Sequence, residues 1–135
     1  MTIRIKVPGQ PQGKGRARFG NGRTYTPAKT VAYEGLIALA GQQAMRDRPL
    51  IEGPVYLIVT AIFGVPKSWN AKRKAKASSG LEWHTAKPDA DNIFKACGDG
   101  LNGIVWKDDS QVAFSKIVKQ YGDTPGLDIL VEPLA

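Results

Sequence analysis

The stretch VYLIVTAIFGV, residues 55–65, decides how this 135-residue chain folds. Its apolar side chains follow one another at successive positions, which is typical of a central strand covered on both faces. The run is too short to cross a bilayer as a helix, since a spanning helix needs about 20 apolar residues. We therefore predict one central strand, around which the other elements form a sheet.

The segments before this strand predict a strand, a hairpin and a long helix. Residues 2–8 alternate between apolar and polar side chains, as a half-buried strand does. Asn21-Gly22 favours a tight hairpin turn. Thr26-Pro27 has the residue types of an N-cap and first helical position, and this helix should end near Arg48. Its expected apolar stripe consists of Tyr33, Leu36, Ile37, Ala40 and Ala44.

The segments after the central strand predict a loop, a short helix and a closing hairpin. Residues 66–88 are basic and hold few core-forming side chains, so we expect a long flexible loop. A helix should cover residues 92–101, with Asp91 as its N-cap. Residues 112–121 and 127–132 predict two hairpin strands. The order β-(β-hairpin)-α-β-α-β-β predicts one α+β domain over residues 1–135, a small mixed sheet with two main helices packed on one face.

Composition limits the class of protein. A hydrophobic content of 42% with 23% charged residues is ordinary for a globular domain. One cysteine and one histidine exclude an internal disulfide and a cysteine-based or histidine-rich metal site within one chain. The N-terminus MTIRIKVPGQ has no apolar signal core, so we expect a cytoplasmic protein without a membrane segment.

The net charge of +7 is unevenly distributed. Residues 1–33 hold seven basic residues and no acidic one, and residues 66–88 hold six basic residues against Glu82 alone. Five of the twelve acids then lie within residues 89–109. A basic chain with one concentrated acidic spot indicates a polyanionic partner and a local need for carboxylates.

Two groups of basic side chains are candidates for contacts with DNA phosphates. In an extended arm, alternate side chains share one face, which predicts a row of Lys14, Arg16 and Arg18. An exposed edge strand kept apart from other chains by its charges explains the same row equally well. The second group, in the expected loop, consists of Lys72, Arg73, Lys74 and Lys76.

The acids are concentrated in KPDADNIFKACGDG, residues 87–100. The proline before Asp89 favours extended backbone, which would project Asp89 and Asp91 from the same side of the chain. Lys95 follows Asp91 by four residues and shares its helical face. A third carboxylate, from Asp108 or Asp109, would complete an oxygen site for Mg²⁺. Helix capping by Asp91 and an ion pair between Asp99 and Lys95 explain these residues without a metal.

A longer pattern is more specific than these spacings. The segment KPDADNIFKACGDGLNGIVWKDDSQV, residues 87–112, resembles the signature of the RusA family of Holliday junction resolvases. PQGKGRAR, YTPAKTVAYEGLI and PKSW also resemble segments of family members, in the same order. The matching signature residues are Asp89, Asp91, Asn92, Lys95, Asp99, Leu101, Trp106, Asp108, Asp109, Gln111 and Val112.

The resemblance implies a function and roles for individual residues. Members of the family cut four-way DNA junctions as homodimers with Mg²⁺ or Mn²⁺ and use no nucleotide cofactor. By similarity the metal-binding aspartates are Asp89, Asp91 and Asp109, and the essential lysine is Lys95. The metal would activate a water and act as a Lewis acid on the phosphate. Lys95 would neutralise charge that develops on the phosphate or orient the water.

The remaining conspicuous residues are expected to be structural. The single histidine, His84, should be an exposed loop residue, and Cys97 a small core residue. Trp69 and Trp83 flank the basic cluster, and we expect local packing or a dimer contact rather than stacking on bases. The glycines of the GKG and GNG motifs are expected to form turns, because neither motif is a Walker-type phosphate loop.

Two other functions fit parts of the pattern. A non-catalytic, basic nucleic-acid-binding protein would use its acids only as caps and in ion pairs. A glycosyl- or nucleotidyl-transferase would use an Asp-x-Asp pair to hold a metal-bound diphosphate, although the chain is small for one. Cleavage of a junction that depends on a divalent metal separates a nuclease from both.

Overall fold

The computed structural model describes residues 1–134 of the chain. The elements in chain order are β1 (Ile3–Pro8), β2 (Arg18–Gly20), β3 (Arg23–Tyr25), α1 (Ala28–Met45), β4 (Val55–Gly64), α2 (Ala71–Ser78), α3 (Ala90–Leu101), a short 3-10 helix (Asp109–Gln111), β5 (Val112–Gly122) and β6 (Gly126–Pro133). The α+β class and the predicted order are confirmed, with α2 as an additional helix. None of the helices described has the length and apolar content needed to cross a membrane.

The four long strands form one mixed sheet in the order β1-β6-β4-β5. Strand β6 is antiparallel to both β1 and β4, and β5 is parallel to β4. The prediction that the last two strands pair as a hairpin is wrong, because β4 lies between them. A β5–β6 hairpin would leave the apolar strand β4 on the sheet edge, whereas the observed order gives it two neighbours. Strand β5, which has no fully buried residue, occupies that edge instead.

The two faces of the sheet differ in cover. Alternate β4 residues from Val55 to Phe63 are buried, whereas the residues between them are only half-buried. The buried set packs with Tyr33 and Ile37 of α1 and with Ile93 and Cys97 of α3. The helices therefore cover one face, as predicted. The expectation that β4 is covered on both faces is wrong within this chain.

Helix α1 crosses α3 at two glycines. A Cβ on Gly41 would lie 2.6 Å from Cδ2 of Leu101, and one on Gly100 would lie 2.9 Å from Cβ of Ile37. Glycine in a helix interior costs about 1 kcal/mol relative to alanine. The two helices approach so closely that a Cβ at either position would collide with the facing helix, which explains why glycine occurs here despite this cost.

The boundaries of α1 differ slightly from the prediction. Pro27, rather than Thr26, is the N-cap, and the helix ends at Met45 because Arg46 adopts a positive φ of 56°. The predicted stripe is confirmed, since Tyr33 and Ile37 are buried and the other three residues pack against the core.

Residues 66–88 are not one long loop, because α2 lies within them. The side chain of Asn70 caps this helix by accepting a hydrogen bond from the backbone N–H of Arg73 at 2.9 Å. Asn70 followed by AKRKAKAS is an N-cap followed by good helix formers, a signal that the prediction overlooked.

Candidate active site and nucleic-acid interface

The first two candidate aspartates lie at the N-terminus of α3. Asp89 is the N-cap residue, although its side chain makes no capping hydrogen bond, and Asp91 lies in the first turn. The prediction that Asp91 is the N-cap is therefore wrong by two residues. The Asp89 carboxylate instead accepts hydrogen bonds from Nζ of Lys87 at 2.9 and 3.1 Å. Asp91 and Lys95 are exposed one turn apart on the same helical face.

The second pair of aspartates divides into one residue that caps a helix and one that faces α3. Asp108 caps the short 3-10 helix, and its Oδ2 accepts a hydrogen bond from the backbone N–H of Ser110 at 3.2 Å. Hydrogen bonds from the side chain and the backbone of Ser110 lower the pKa of Asp108. With Asp108 occupied as a cap, Asp109 is the member of the pair that faces α3.

Gln111 holds this turn in place. Its Oε1 accepts hydrogen bonds from the backbone N–H groups of Lys107 and Asp108 at 2.9 and 3.2 Å. Its Nε2 donates to the carbonyls of Ile51 and Gly53 at 2.8 and 2.9 Å. Both polar atoms of the Gln111 amide therefore form hydrogen bonds: the oxygen binds within the turn, and the nitrogen binds the segment that precedes β4. The signature glutamine is therefore a positioning residue for Asp109.

Asp109 lies directly against the backbone of α3. A Cβ on Gly98 would be 2.7 Å from Oδ2 of Asp109, so only glycine leaves room for this carboxylate. Gly98 follows Asp91 by seven residues, so Asp109 is on the helix face of Asp91 and Lys95, about 10 Å along the axis from Asp91. Burial, with the nearby Asp108 and Asp99 carboxylates, raises the pKa of Asp109.

The three aspartates do not form a preformed metal cluster. Within residues 1–134, no three Asp, Glu, His or Cys side chains form a group that could hold a metal ion. The donor chemistry suits a hard divalent cation, because carboxylate oxygens are its usual ligands and Asp109 lies among other negative charges. Binding by all three would need the Asp89 side chain to exchange Lys87 for the cation, and the side chains of Asp91 and Asp109 to close the separation of about 10 Å along α3.

Lys14 has a different position from the one predicted. Its Nζ lies 2.9 Å from Oε2 of Glu34 and 2.7 Å from Oδ2 of Asp99, and its backbone N–H donates to the carbonyl of Asn92 at 2.9 Å. The contact with Asp99 is the largest cause of its raised pKa. Lys14 therefore links the arm to α1 and α3, whereas Arg16 and Arg18 remain exposed. The single-faced row of three cations is not formed.

The GKG motif is a close-packing device rather than a turn. Neither glycine has a positive φ. A Cβ on Gly13 would lie 2.9 Å from Cβ of Pro88, and one on Gly15 would lie 2.6 Å from Oγ1 of Thr30. The prediction of turn glycines is wrong here, although Gly22 of the GNG motif does occupy the β2–β3 turn. The motif places the arm over the N-termini of both α1 and α3.

A basic cleft lies beside this crossing. It has a volume of about 490 Å³ and includes backbone and side-chain atoms of the arm, of the start of α1 and of Lys87-Pro88. Its charged lining consists of Arg16, Arg18, Lys29 and Lys87, with no acidic residue among the described residues that line it. Lys29 and Lys87 were not among the predicted DNA contacts. Lys87 lies two residues before Asp89 in the sequence, and this proximity to the candidate acids could have identified it as a candidate DNA contact.

The basic residues of α2 are also divided between two roles. The guanidinium of Arg73 lies 3.5 Å from the centroid of the Trp69 ring and forms an ion pair with Glu82 at 2.9 Å. Lys72 and Lys76 are exposed, and Lys74 is half-buried. Of the four predicted contacts in this segment, Arg73 is therefore already engaged within the protein.

Two expectations about reactive side chains have opposite outcomes. Cys97 is fully buried, and burial raises its pKa to about 12, which confirms a core residue. His84 was expected to be exposed but is buried. Its ring stacks on Phe63 at a centroid distance of 3.5 Å, and burial lowers its pKa. The residue before it, Trp83, is exposed, and no hydrophobic periodicity in this segment of the sequence predicts that His84 is buried.

Comparison with known proteins identifies the family of this chain. The profile of the family described as endodeoxyribonuclease RusA matches residues 8–132. The chain is 36% identical over 139 residues to "Uncharacterized protein YqaN" of Bacillus subtilis (strain 168), an alignment that covers 98% of this chain and 97% of that protein. The chain belongs to the RusA endodeoxyribonuclease family.

Proposed function

We propose that this protein is a cytoplasmic, Mg²⁺- or Mn²⁺-dependent endodeoxyribonuclease that resolves four-way DNA junctions by paired, symmetric cuts. The observation that carries the proposal is the position of the basic cleft. Lys87, which lines that cleft, also contacts Asp89 at the start of the helix that presents Asp91 and Lys95. A DNA strand held by these cations would pass next to the candidate acids.

The catalytic roles follow from the positions of the side chains. Asp89, Asp91 and Asp109 would hold the divalent cation, which supplies Lewis acidity toward the phosphate and makes an attacking water more acidic. Lys95 is exposed and forms no ion pair in the described part of the chain. Its ammonium group is therefore available to neutralise charge on the scissile phosphate.

The DNA contacts would come from both basic segments. Arg16, Arg18 and Lys29 would bind phosphates in the cleft, together with Lys87 when Asp89 is engaged elsewhere. Lys72 and Lys76 would bind phosphates from α2, with Lys74 less accessible. Contacts of this kind read charge and shape rather than base sequence, which suits a branched substrate.

The open face of the sheet supports an isologous dimer. Its apolar residues are Tyr56, Ile58, Ile62, Phe114, Val118 and Leu130, and its charged residues include Arg4, Lys6, Asp128 and Glu132. A two-fold axis brings the same patch onto itself, so a patch carrying both charge signs can pair with its own copy. A dimer would supply the two active sites that paired cuts need. Ile58→Lys places a charge in this patch and should give monomers in sedimentation velocity. The control Leu39→Lys, at an exposed position of α1 away from the patch, should leave the dimer intact.

The direct test compares a synthetic four-way junction with a linear duplex of matched sequence, each with Mg²⁺, with Mn²⁺ and with chelator. We expect metal-dependent cutting that is much stronger on the junction. Asp91→Asn should abolish cutting while junction binding is retained or tightened, because one repulsive charge is removed. Loss of binding together with cutting would contradict the assigned role of Asp91.

A non-catalytic DNA-binding protein is the second candidate. The ion pair between Asp89 and Lys87, and the lack of a preformed group of three acids within residues 1–134, favour it. The same experiment separates the two functions. Tight junction binding without cutting under any divalent cation would support this second candidate and contradict the first.

A further inference from the structure

Trp83 differs from the other two tryptophans in its exposure. It is 61% exposed, and the neighbouring Leu81 is 72% exposed. Trp69 packs edge-on against Tyr121 at a centroid distance of 5.1 Å, and Trp106 is fully buried. All three tryptophans lie in the described part of the chain. Trp83 is therefore the one that presents its ring to solvent, so of the two expectations for it, local packing is wrong and a dimer contact stays a prediction.

The residues on either side of Trp83 are firmly held. Glu82 accepts hydrogen bonds from Nε and Nη2 of Arg73 at 2.9–3.2 Å. His84 is stacked on Phe63, and its backbone N–H donates to the carbonyl of Lys119 at 3.4 Å. Trp83 is thus displayed between two anchored residues, and its exposure is a feature of the folded segment.

Two cations lie near the residue that precedes Trp83. Exposed Lys76 lies close enough to Glu82 to help lower the pKa of that carboxyl, and Arg73 forms an ion pair with Glu82 at 2.9 Å. An exposed aromatic ring with cations nearby suits single-stranded nucleic acid, since bases stack on the ring while phosphates pair with the cations. Trp83 and Asp89 are six positions apart, a length of chain that spans at most about 22 Å.

We infer that Trp83, supported by Leu81, is a stacking platform for an unpaired base of branched DNA close to the cleavage site. This inference rests on the proposed function, because it assumes a DNA substrate. It assigns recognition of unpaired bases at the branch point to the loop after α2, and it leaves phosphate binding to the lysines of α2 and to the cleft.

The exposure of Trp83 provides its own spectroscopic probe. Full-length protein is titrated, in chelator to prevent cutting, with a single-stranded oligo-dT and with a four-way junction, while tryptophan fluorescence is recorded. We expect stacking on the DNA bases to quench the fluorescence of the wild-type protein. Trp83→Phe should lose this quenching, and the matched variant Trp69→Phe, in the same segment, should keep it.

The affinity for DNA gives the second readout. Trp83→Ala should weaken binding of the junction by about 5- to 150-fold, the range expected for loss of one stacked base. Trp83→Phe, which keeps an aromatic face, should restore most of the affinity. Thermal unfolding of Trp83→Ala should match the wild type, because the side chain makes few internal contacts.

Three outcomes overturn the inference. Unchanged junction affinity in Trp83→Ala, or quenching that survives in Trp83→Phe, excludes the platform. Dissociation of a dimer by Trp83→Ala would assign the side chain to a subunit contact instead. Failure of the nuclease proposal is distinguishable: a wild-type protein that never cuts, yet shows quenching that depends on Trp83, loses the enzymatic role and keeps the platform.

Discussion

The two basic segments, the arm of residues 9–27 and the α2 segment of residues 66–88, are built on the same plan with different anchors. Each has one cation that forms ion pairs within the protein, and each has other cations that are exposed. Lys14 of the arm pairs with Glu34 and Asp99, which belong to two helices distant in sequence. Arg73 pairs with Glu82, only nine residues away.

This difference shows which positive charges are available to DNA. The arm depends on the whole tertiary structure for its position, whereas the α2 segment is organised largely by local contacts. In both, we expect fewer phosphate contacts than basic residues, because one cation of each segment is already paired within the protein.

The largest expected effect comes from displacing the arm from its contact with the start of α1. Gly15→Ala would place a Cβ 2.6 Å from Oγ1 of Thr30 and disturb the hydrogen bond between them. We expect a loss of about 1–3 kcal/mol of unfolding free energy by overpacking, together with loss of cleavage, measured by urea denaturation and a junction assay. The control Gly35→Ala, in an open position of α1, should be stabilising by up to about 1 kcal/mol. Equal effects would contradict close packing of the arm.

Removal of the paired cation in each segment, Lys14 or Arg73, compares the two segments directly. Lys14→Ala leaves Glu34 and Asp99 unpaired and half-exposed, so unfolding free energy should fall by about 1–2 kcal/mol. Arg73→Ala should lower it less, because that ion pair lies on the surface. Both are measured by urea denaturation at neutral pH. A larger loss in Arg73→Ala would reverse the proposed contrast.

The salt dependence of junction binding separates the cations that are available to DNA from those already paired within the protein. Arg16→Ala and Lys72→Ala should each reduce the slope of log affinity against log salt by about 0.9, the value for one phosphate contact on duplex DNA. Lys14→Met and Arg73→Met should leave the slope unchanged. The measurement is fluorescence anisotropy between low and high salt. A reduced slope in either methionine variant would show that the replaced cation, Lys14 or Arg73, does contact DNA.

The smallest expected effect is a dependence on pH confined to the α2 segment. Burial, with the nearby Lys119, lowers the pKa of His84 from its usual 6.5. The unfolded chain then binds a proton more readily than the folded one, so stability falls as the pH drops below about 6.5. Hydrogen exchange should show reduced protection of α2 at acidic pH, but not of the arm. His84→Phe should remove the change, and an unaltered pH response in that variant would exclude His84 as its cause.

Local patterns were sufficient for much of the molecule. The periodicity of residues 2–8, the Asn21-Gly22 turn and the apolar stripe of α1 predicted elements that the structure contains. The signature around Asp89 and Asp109 identified the family without coordinates. Two further local signals were present but missed: Asn70 before α2, and the capping box of Asp108 with Gln111, which separates Asp108 from Asp109.

Only the tertiary structure decided which distant groups meet. Strand pairing depends on which strand most needs two neighbours, so β4 separates two strands that are consecutive in the chain. The burial of His84, the ion pairs of Lys14 and the position of Asp109 on Gly98 each join residues more than ten positions apart. Residue types and short spacings record what a side chain can do, whereas its actual partner depends on the packing of the complete chain.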